Sequence, residues 1–501
     1  MNFAIMSDNE KIYRSMNLAD LFEGSNVELS IESLKLKITG ITVDSRTVRQ
    51  GNLFIAVPGY SQDGRQYISE AVSLGASAVL TVAGKDIIAG VPVILAGDLK
   101  EIMPAIANRF YDFPSNKIKI SGVTGTNGKT TTTYLIATIF NSSGEKWGKI
   151  GTIGYDTGSR VVPAQNTTPG PVEIQKLLAE MVENGQNGCA MEVSSHALEQ
   201  GRSDGIRFYS ATFTNLTQDH LDYHESMERY FLSKARLFEN SERSVVNIDD
   251  DYGKKLLNRI ESDIITYSFR QKADLECKAV RSDIESSILE FRYQDELLQF
   301  RFPLPGIFNH LNAAAAGATA LAHGLSLKKV TDGLSKAEAV PGRMQPVSLG
   351  QPFGVYVDYA HTPDALKSLL ESVREFDARE IHIVFGCGGD RDAKKRPLMA
   401  GAASRYADHV YLTSDNPRTE DPEKIIKDTL AGISDKKRCR VIEDRAMAIR
   451  AAITSAKSND IVVIAGKGHE EYQIMGTVRK YFSDVEAVKS ELRKLGYEND
   501  G

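Results

Sequence analysis

The stretch that most restricts this chain is Ser121-Gly122-Val123-Thr124-Gly125-Thr126-Asn127-Gly128-Lys129-Thr130-Thr131. It follows an apolar run at 117–123 and leads into a helical pattern at about 130–142. A strand, a glycine-rich turn and a helix in that order are what a phosphate loop requires. Glycines let backbone N–H groups wrap phosphate oxygens and the helix N-terminus adds positive potential. Lys129 then suits β/γ-phosphate charge, and the Thr130 hydroxyl suits Mg2+. Strict spacing would put glycine at 123; Val123 stands there, so the loop is a variant.

The same alternation of short β-branched runs and helical patterns continues along the whole chain, which is the pattern of α/β layering. At 501 residues the chain is too long for one compact core, and domain sizes predict about three domains. The first, 1–115, has short strands on either side of Asp44-Ser45-Arg46, a helix near 66–74, strands at 78–82 and 91–95, and a helix at 99–110. Asp112-Phe113-Pro114-Ser115-Asn116 ends it as a proline-bearing linker. The second, 116–340, carries the phosphate loop and an alternating hairpin pattern at 289–302. Val340-Pro341-Gly342 opens the third, 341–501, whose apolar runs at 355–358, 381–386, 409–413 and 461–466 suit parallel strands buried on both faces. The expected class is α/β with three domains: a small N-terminal α/β domain, a central P-loop-type domain with a mostly parallel sheet, and a C-terminal Rossmann-like doubly wound domain.

Composition removes other classes. Hydrophobic residues make up 42% and charged residues 25%, which excludes disordered and collagen-like chains. A net charge of −6 argues against nucleic acid as a partner. No run approaches the roughly 18 apolar residues of a membrane span, and 1–14 lacks an apolar leader core. Cys189, Cys277, Cys387 and Cys439 are widely spaced, so neither a disulfide framework nor a zinc site is expected. A cytoplasmic protein fits these features.

Four further motifs begin where runs of the third segment end: Asp358-Tyr359-Ala360-His361, Gly386 to Asp392, Asp415-Asn416-Pro417-Arg418 and Gly466-Lys467-Gly468-His469-Glu470. Ligands of α/β sheets gather at the carboxyl ends of parallel strands, so their convergence predicts a pocket. In the second segment, Glu192 offers a carboxylate to Mg2+, although on spacing alone a Glu and a His four apart are more often surface or capping residues. The run from Asn215 to His224 carries two readings, a metal or base site and a helix N-cap at Asp219. By spacing alone Lys234 is an ordinary helical lysine.

Taken in order, Thr124 to Thr131, Glu192-Val193-Ser194-Ser195-His196, Asn215 to Asp222, Asn309-His310-Leu311-Asn312, Gly342-Arg343 and Asp358 to His361 resemble the Mur ligase family of ATP-dependent amide-bond-forming enzymes. Asp44-Ser45-Arg46, Asp63-Gly64-Arg65, Asn166-Thr167-Thr168-Pro169 and the Asn-Pro-Arg form of the Asp415 to Arg418 motif resemble the members that add meso-2,6-diaminopimelate to UDP-N-acetylmuramoyl-L-alanyl-D-glutamate. Lysine-adding members tend to lack that arginine, and Arg418 offers a bidentate fork for the second amino-acid head of diaminopimelate.

The resemblance implies ATP at Gly125, Thr126, Asn127, Gly128, Lys129, Thr130, Thr131, Asn309, His310, Arg343 and Asp358. It implies the UDP-muramoyl dipeptide at Val43, Ser45, Tyr60, Ser61, Gln62, Asn166, Thr167, Thr168, Ser194, Gln200 and Arg202. Diaminopimelate falls to Arg391, Asp415, Asn416, Pro417, Arg418, Gly466 and Glu470. Mg2+ falls to Thr130, Glu192, His220 and Lys234, the last as an N-carbamate. Lys129, Lys234, Glu192 and His220 are the implied catalytic residues. The implied reaction passes through an acyl phosphate, releases ADP and phosphate, and uses small-molecule partners only, with the enzyme a monomer. The rival expectations are a lysine-adding or folylpolyglutamate-forming relative, and a P-loop ATPase switch without ligase activity.

Overall fold

The computed structural model describes residues 14–59, 63–83, 89–283, 286–376 and 378–498. Their contacts separate into two compact units, Met1–Gly122 with Lys146–Tyr209, and Val123–Glu145 with Ser210–Gly501.

The first unit contains a four-stranded parallel sheet ordered Gly40–Thr42, Asn52–Ile55, Ala76–Val82, Val93–Ala96. Its strands are short and β-branched, and one face packs Leu53, Ile55 and Leu80 against Leu99, Ile106 and Phe110 of the helix Leu99–Phe110. Asp98 caps that helix by accepting from Lys100 N, which fixes its start where the sequence pattern begins. The same unit holds the strands Val161–Val162, Tyr155–Asp156, Trp147–Ile150 and Gly188–Glu192, in that order, followed by the start of Lys119–Thr124. Gly188–Glu192 runs parallel to Trp147–Ile150, and its five residues are all buried, so Glu192 is delivered from a dry strand.

In the second unit the end of Lys119–Thr124 leads a sheet continuing through Phe208–Phe213, Ser241–Asn247, Asp263–Ser268, Leu275–Ser282, Ser287–Tyr293 and Glu296–Phe302. The last two strands pair Tyr293 with Glu296, the hairpin anticipated from alternation. The loop helix Lys129–Ser142 contains four consecutive threonines, poor helix formers whose χ1 freedom is lost against the preceding turn. It forms because Thr130 to Thr133, Leu135, Ile136, Ile139 and Phe140 are buried, not because propensity favours it.

The C-terminal sheet is ordered Gln345–Pro346, Gly354–Asp358, Ile461–Ala465, Ile381–Phe385, His409–Leu412, Cys439–Val441, and is parallel apart from the first pair. Both faces carry an apolar layer. One holds Leu366, Leu370, Met399 and Ile425 from helices; the other holds Ala448, Ile449, Val488 and Leu492. This is a doubly wound arrangement, and it places the ends of Gly354–Asp358 and Ile461–Ala465 side by side, with Asp358 opposite Ala465. No helix of the described residues is long and apolar enough to cross a membrane.

Candidate functional site

The glycines of the phosphate loop are required by its packing. Gly125 has φ +152 and a Cβ there would lie 1.9 Å from Thr214 Oγ1; Gly128 has φ +87 and its Cβ would lie 2.3 Å from Asn312 Oδ1. Both positions therefore exclude any side chain. The strand end at Asn215 grips the loop from one side: Thr126 N donates to Asn215 O at 2.9 Å and Asn127 N to Asn215 Oδ1 at 2.9 Å. Thr214 Oγ1 donates to Asn127 O at 2.7 Å. Gly128 then caps Lys129–Ser142, with Thr130 and Thr131 buried in its first turn. A loop with no Cβ at two positions, opening a helix N-terminus, fits a nucleotide phosphate.

Two lysines meet at this loop. Lys129 Nζ donates to Gly125 O at 2.9 Å and Thr126 O at 2.8 Å, and Lys234 Nζ donates to the same Gly125 O at 2.9 Å. Lys234 comes from the helix Met227–Glu239, is 1% exposed and sits 4.5 Å above the Tyr230 ring. Burial, and then the neighbouring Lys129 ammonium, hold the Lys234 pKa well below that of an ordinary lysine. Both effects favour the neutral, nucleophilic amine over the ammonium, a property that helical spacing did not reveal.

His220 stands beside these groups on the loop before Leu221–His224, with φ +52 and its Nε2 3.3 Å from Asp219 Oδ2. Its ring centroid is 6.2 Å from that of Tyr230, whose hydroxyl lies 3.2 Å from Thr126 Oγ1. His220, not Asp219, occupies the N-cap position, so the capping reading of Asp219 is corrected: its carboxylate accepts from His220 N at 2.9 Å and pairs with Lys395 at 3.3 Å. Burial opposes its ionisation, but His220, Lys395 and His361 together hold the Asp219 carboxyl below its usual pKa.

Arg343 and Asp358 link the loop to the C-terminal sheet. Arg343 Nη2 donates to Thr130 Oγ1 at 3.1 Å, its guanidinium lies 4.7 Å from the Tyr359 ring centroid, and its buried Nε has no hydrogen-bond partner among the described residues. Asp358 accepts from Met344 N and Ala360 N, each at 2.7 Å, and so fixes the turn that presents Arg343. The helix Ile307–Ala322 places Asn309 and His310, both buried, against other partners: Asn309 Nδ2 donates to Pro305 O at 2.8 Å and His310 Nε2 lies 2.7 Å from Ser287 Oγ. Burial depresses the His310 pKa to about 4. The unfolded chain then binds more protons than the folded one as pH falls from 6.5 towards 4, so stability declines through that window. The expected loss is about 2 kcal/mol by pH 5 from this residue alone. Urea unfolding at pH 7 and pH 5 checks it, with His310→Asn flattening the difference.

At the carboxyl ends of the C-terminal strands, Asp415, Asn416 and Glu470 converge on a residue that the motif assignments omitted. Lys467, 0% exposed, lies 3.3 Å from Glu470 Oε2, 3.4 Å from Asn416 Oδ1 and 3.8 Å from Asp415 Oδ1. Asn416 Nδ2 also donates to Glu470 Oε2 at 3.1 Å, and Gln473 Nε2 to Asp415 O at 2.9 Å. Pro417 is buried and Gly466 N donates to Asp358 O at 3.1 Å.

Arg418 adopts φ +52, rare for a side chain of its size. That backbone is clamped by Arg418 N donating to Ile474 O at 3.0 Å and Gly476 N donating to Arg418 O at 2.7 Å, while its Nη1 donates to Gly389 O at 2.7 Å. The clamp is a hairpin, Tyr472–Met475 with Val478–Tyr481, that was not anticipated because Val478–Tyr481 is exposed throughout and lacks alternation. Arg391 stands apart from the buried cluster, exposed, with Nη1 3.4 Å from Asp390 O.

In the first unit, Thr168 organises a second set. Its Oγ1 donates to Glu192 O at 2.9 Å and accepts from Ser194 N at 3.0 Å, and its carbonyl accepts from Arg202 Nη1 at 3.0 Å. Arg202 also holds Gln200 Oε1, at 2.8 Å from Nε. Thr167 Oγ1 lies 3.1 Å from Thr152 Oγ1, and the Glu192 carboxylate accepts from Thr152 N at 2.8 Å and Thr152 Oγ1 at 3.1 Å. Asn166 contributes its carbonyl to the Tyr155 hydroxyl at 2.7 Å. Ser45 is buried at the start of Ser45–Thr47, whereas Val43 is 51% exposed. Tyr60, Ser61 and Gln62 lie outside the described residues.

Comparison with known proteins agrees along the whole length. Residues 37–111 match the model for the Mur ligase family catalytic domain, 123–320 that for the Mur ligase middle domain, and 342–468 that for the Mur ligase glutamate ligase domain. The chain is 40% identical, over 96% of its length and 100% of the relative's, to UDP-N-acetylmuramoyl-L-alanyl-D-glutamate--2,6-diaminopimelate ligase 1 of Clostridium acetobutylicum. It is also similar to a solved structure of a 2,6-diaminopimelate ligase of that description, at 34% identity and TM-score 0.67 over 94% of this chain and 97% of that one. The MurF ligase of Thermotoga maritima, solved with ADP, shares the fold at 18% identity and TM-score 0.66, with 91% of this chain and 97% of that chain covered. On this end-to-end agreement in sequence and fold, the chain belongs to the Mur ligase family.

Proposed function

We propose that this protein is an ATP-dependent ligase that joins meso-2,6-diaminopimelate to the D-glutamyl carboxyl group of UDP-N-acetylmuramoyl-L-alanyl-D-glutamate, in the assembly of peptidoglycan precursors. The observation that carries the reading is the sharing of one loop carbonyl, Gly125 O, by Lys129 and by the buried amine of Lys234. It sets a buried amine beside the phosphate-loop lysine, where a carbamate would add oxygen donors next to a transferring phosphoryl group. The name of relatives that match this chain end to end supports the substrates.

A carboxylate is a poor acyl donor at neutral pH, so the reaction needs a better leaving group. One D-glutamyl oxygen attacks the γ-phosphorus of ATP, the bond to the β-phosphate oxygen breaks, and ADP leaves. The diaminopimelate amine then attacks the acyl carbon, phosphate departs, and the amine nitrogen loses a proton. Lys129 and the loop N–H groups hold the phosphates; Arg343, already on Thr130, brings a second cation to the loop. Asn309 and Asp358 support the adenine-nucleotide side, and His310 keeps its helix fixed through Ser287.

Thr130, His220 and the Lys234 carbamate would hold Mg2+ in the second unit, and Glu192 offers a carboxylate in the first. The residues fit the ion mainly through oxygen, from Thr130, Glu192 and the two oxygens that a Lys234 carbamate would add, with His220 adding a single imidazole. Bound there, Mg2+ would supply positive charge for the transferring phosphoryl group. Thr167, Thr168, Ser194, Gln200 and Arg202 bind the muramoyl peptide, with Val43 and Ser45 towards the uridine end. Asp415, Asn416, Arg418, Gly466 and Glu470 hold diaminopimelate, joined by Arg391. The domains divide the work as 1–115 for the UDP substrate, 116–340 for ATP and 341–501 for the amino acid. The protein works as a monomer in the cytoplasm.

With all three substrates, ADP and phosphate are expected to appear in step with product, one of each per amide bond. AMP and pyrophosphate would rule out the acyl-phosphate route, and hydrolysis that ignores the dipeptide would favour an ATPase switch.

A further inference from the structure

The edge of the C-terminal sheet opposite the motif-bearing loops carries a second polar cluster. Glu380 immediately precedes the strand Ile381–Phe385, and His409 opens the strand His409–Leu412. The two strands are parallel, and His382 lies directly across from His409 in their register. Side chains directly opposite each other share a face, so both imidazoles emerge together. One donor atom from each of Glu380, His382 and His409 lies within 4.8 Å of the others.

The contacts these groups already make are long. His409 Nε2 is 3.3 Å from Glu380 Oε2, His382 Nε2 is 3.3 Å from Asp460 Oδ2, and His382 Nδ1 is 3.3 Å from the Tyr411 hydroxyl. Such distances lie beyond the usual range for hydrogen bonds, so exchanging one for a coordinate bond sacrifices little. The rings stack at 4.6 Å with an interplanar angle of 26°, and the His409 side chain is 40% exposed.

Outer contacts are in place as well. Whichever His382 nitrogen ligates, the other keeps its partner: Nε2 faces Asp460, itself anchored by Arg379 at 2.8 and 2.7 Å and by Lys457 N at 2.7 Å, and Nδ1 faces the Tyr411 hydroxyl. Partners of this kind orient ligating histidines. Arg379 Nη2, 3.3 Å from Glu380 Oε2, opposes an incoming ion, as do Arg440 over the Tyr411 ring and Arg374, which is paired with Asp408; Glu380 and Asp460 offset Arg379.

We propose that Glu380, His382 and His409 form a binding site for a transition-metal ion, Zn2+ or one of similar softness, at the amino-terminal edge of the C-terminal sheet. Two imidazoles and one carboxylate select such an ion over Mg2+, which takes oxygen donors. The half-exposed His409 and Glu380 give it an entry path. Once bound, it ties the starts of two adjacent strands together and stabilises the folded state in proportion to its occupancy.

The test uses the full, untagged chain in saturating Mg2+, so that oxygen-donor sites are filled, titrated with CoCl2 and then ZnCl2. Wild type is expected to take one equivalent of Co2+ with the visible absorption of nitrogen ligation, to lose that absorption to Zn2+, and to melt at higher temperature with Zn2+. His409→Ala and Glu380→Gln are expected to weaken binding by at least about tenfold, while ligase turnover without added Co2+ or Zn2+ stays unchanged. Because His409 stacks on His382, its loss can lower the metal-free melting temperature, so the metal-dependent shift is the quantity compared. Equal Co2+ spectra in wild type and His409→Ala, or no one-to-one binding by wild type, would overturn the proposal.

Discussion

Replacing Lys234 with alanine is expected to lower ligase turnover by about 10²–10³-fold, with little change in nucleotide affinity. The size of the effect follows from what the site asks of this residue. An amine that is 1% exposed, next to Lys129 and held to a loop carbonyl, is expensive to keep charged, and burial and Lys129 lower its pKa well below the ordinary lysine value. A neutral amine attacks CO2; the new N–C bond forms, the nitrogen loses a proton, and a carbamate results. As a carbamate the residue would be an anion beside Lys129, which would remove the charge conflict and supply oxygen donors. Alanine removes those donors but leaves the loop, whose glycines and Asn215 contacts do not depend on Lys234. Short carboxylates such as formate or acetate should therefore restore part of the activity in Lys234→Ala. Full activity without them would contradict the assignment, and mass spectrometry of the wild type for a carbamate adduct gives an independent reading.

The second large effect is at Arg418. Arg418→Ala is expected to raise the KM for diaminopimelate by roughly 30- to 1000-fold, about 2–4 kcal/mol for a lost charged, bidentate contact, while the KM for ATP changes by less than about threefold. The selectivity comes from where the residue sits. Its backbone is fixed by the hairpin, through Ile474 O and Gly476 N, so truncating the side chain leaves the turn in place. The phosphate loop contacts are made by other residues, Lys129 and Arg343 among them. Arg418→Lys should recover only part of the loss, since an ammonium cannot reproduce the planar fork. Equal rises in both KM values would mean that Arg418 acts on the structure of the domain rather than on the amino acid.

The two residues show what a sequence can and cannot disclose. The strand-loop-helix around Gly125 and Gly128 was legible because an unusual backbone has to be written locally, in glycines. The apolar runs at 381–385 and 461–465 were legible because strands buried on both faces allow no polar alternation. Asp415 and Arg418 stood out because the ends of such strands collect ligands.

Lys234 did not, since its burial and its pKa arise from Tyr230 and from a loop more than a hundred residues away. Lys467 was hidden within a glycine-rich motif for the same reason: its role is defined by Asp415, Asn416 and Glu470, which only folding assembles. The hairpin supporting Arg418 left no pattern because its outer strand faces solvent on both sides. The helix Lys129–Ser142, expected at about 130–142, holds four threonines of low propensity, and their burial supplies what propensity does not.

The most direct measurement of the central claim is product formation by purified enzyme with ATP and UDP-N-acetylmuramoyl-L-alanyl-D-glutamate, offered meso-diaminopimelate, L-lysine, L-ornithine and L-glutamate separately. Efficient tripeptide formation is predicted with meso-diaminopimelate alone, with kcat/KM at least about a hundredfold above L-lysine, the discrimination expected when a buried polar partner is left unmatched. Comparable or better use of L-lysine, or turnover only with L-glutamate, would contradict it.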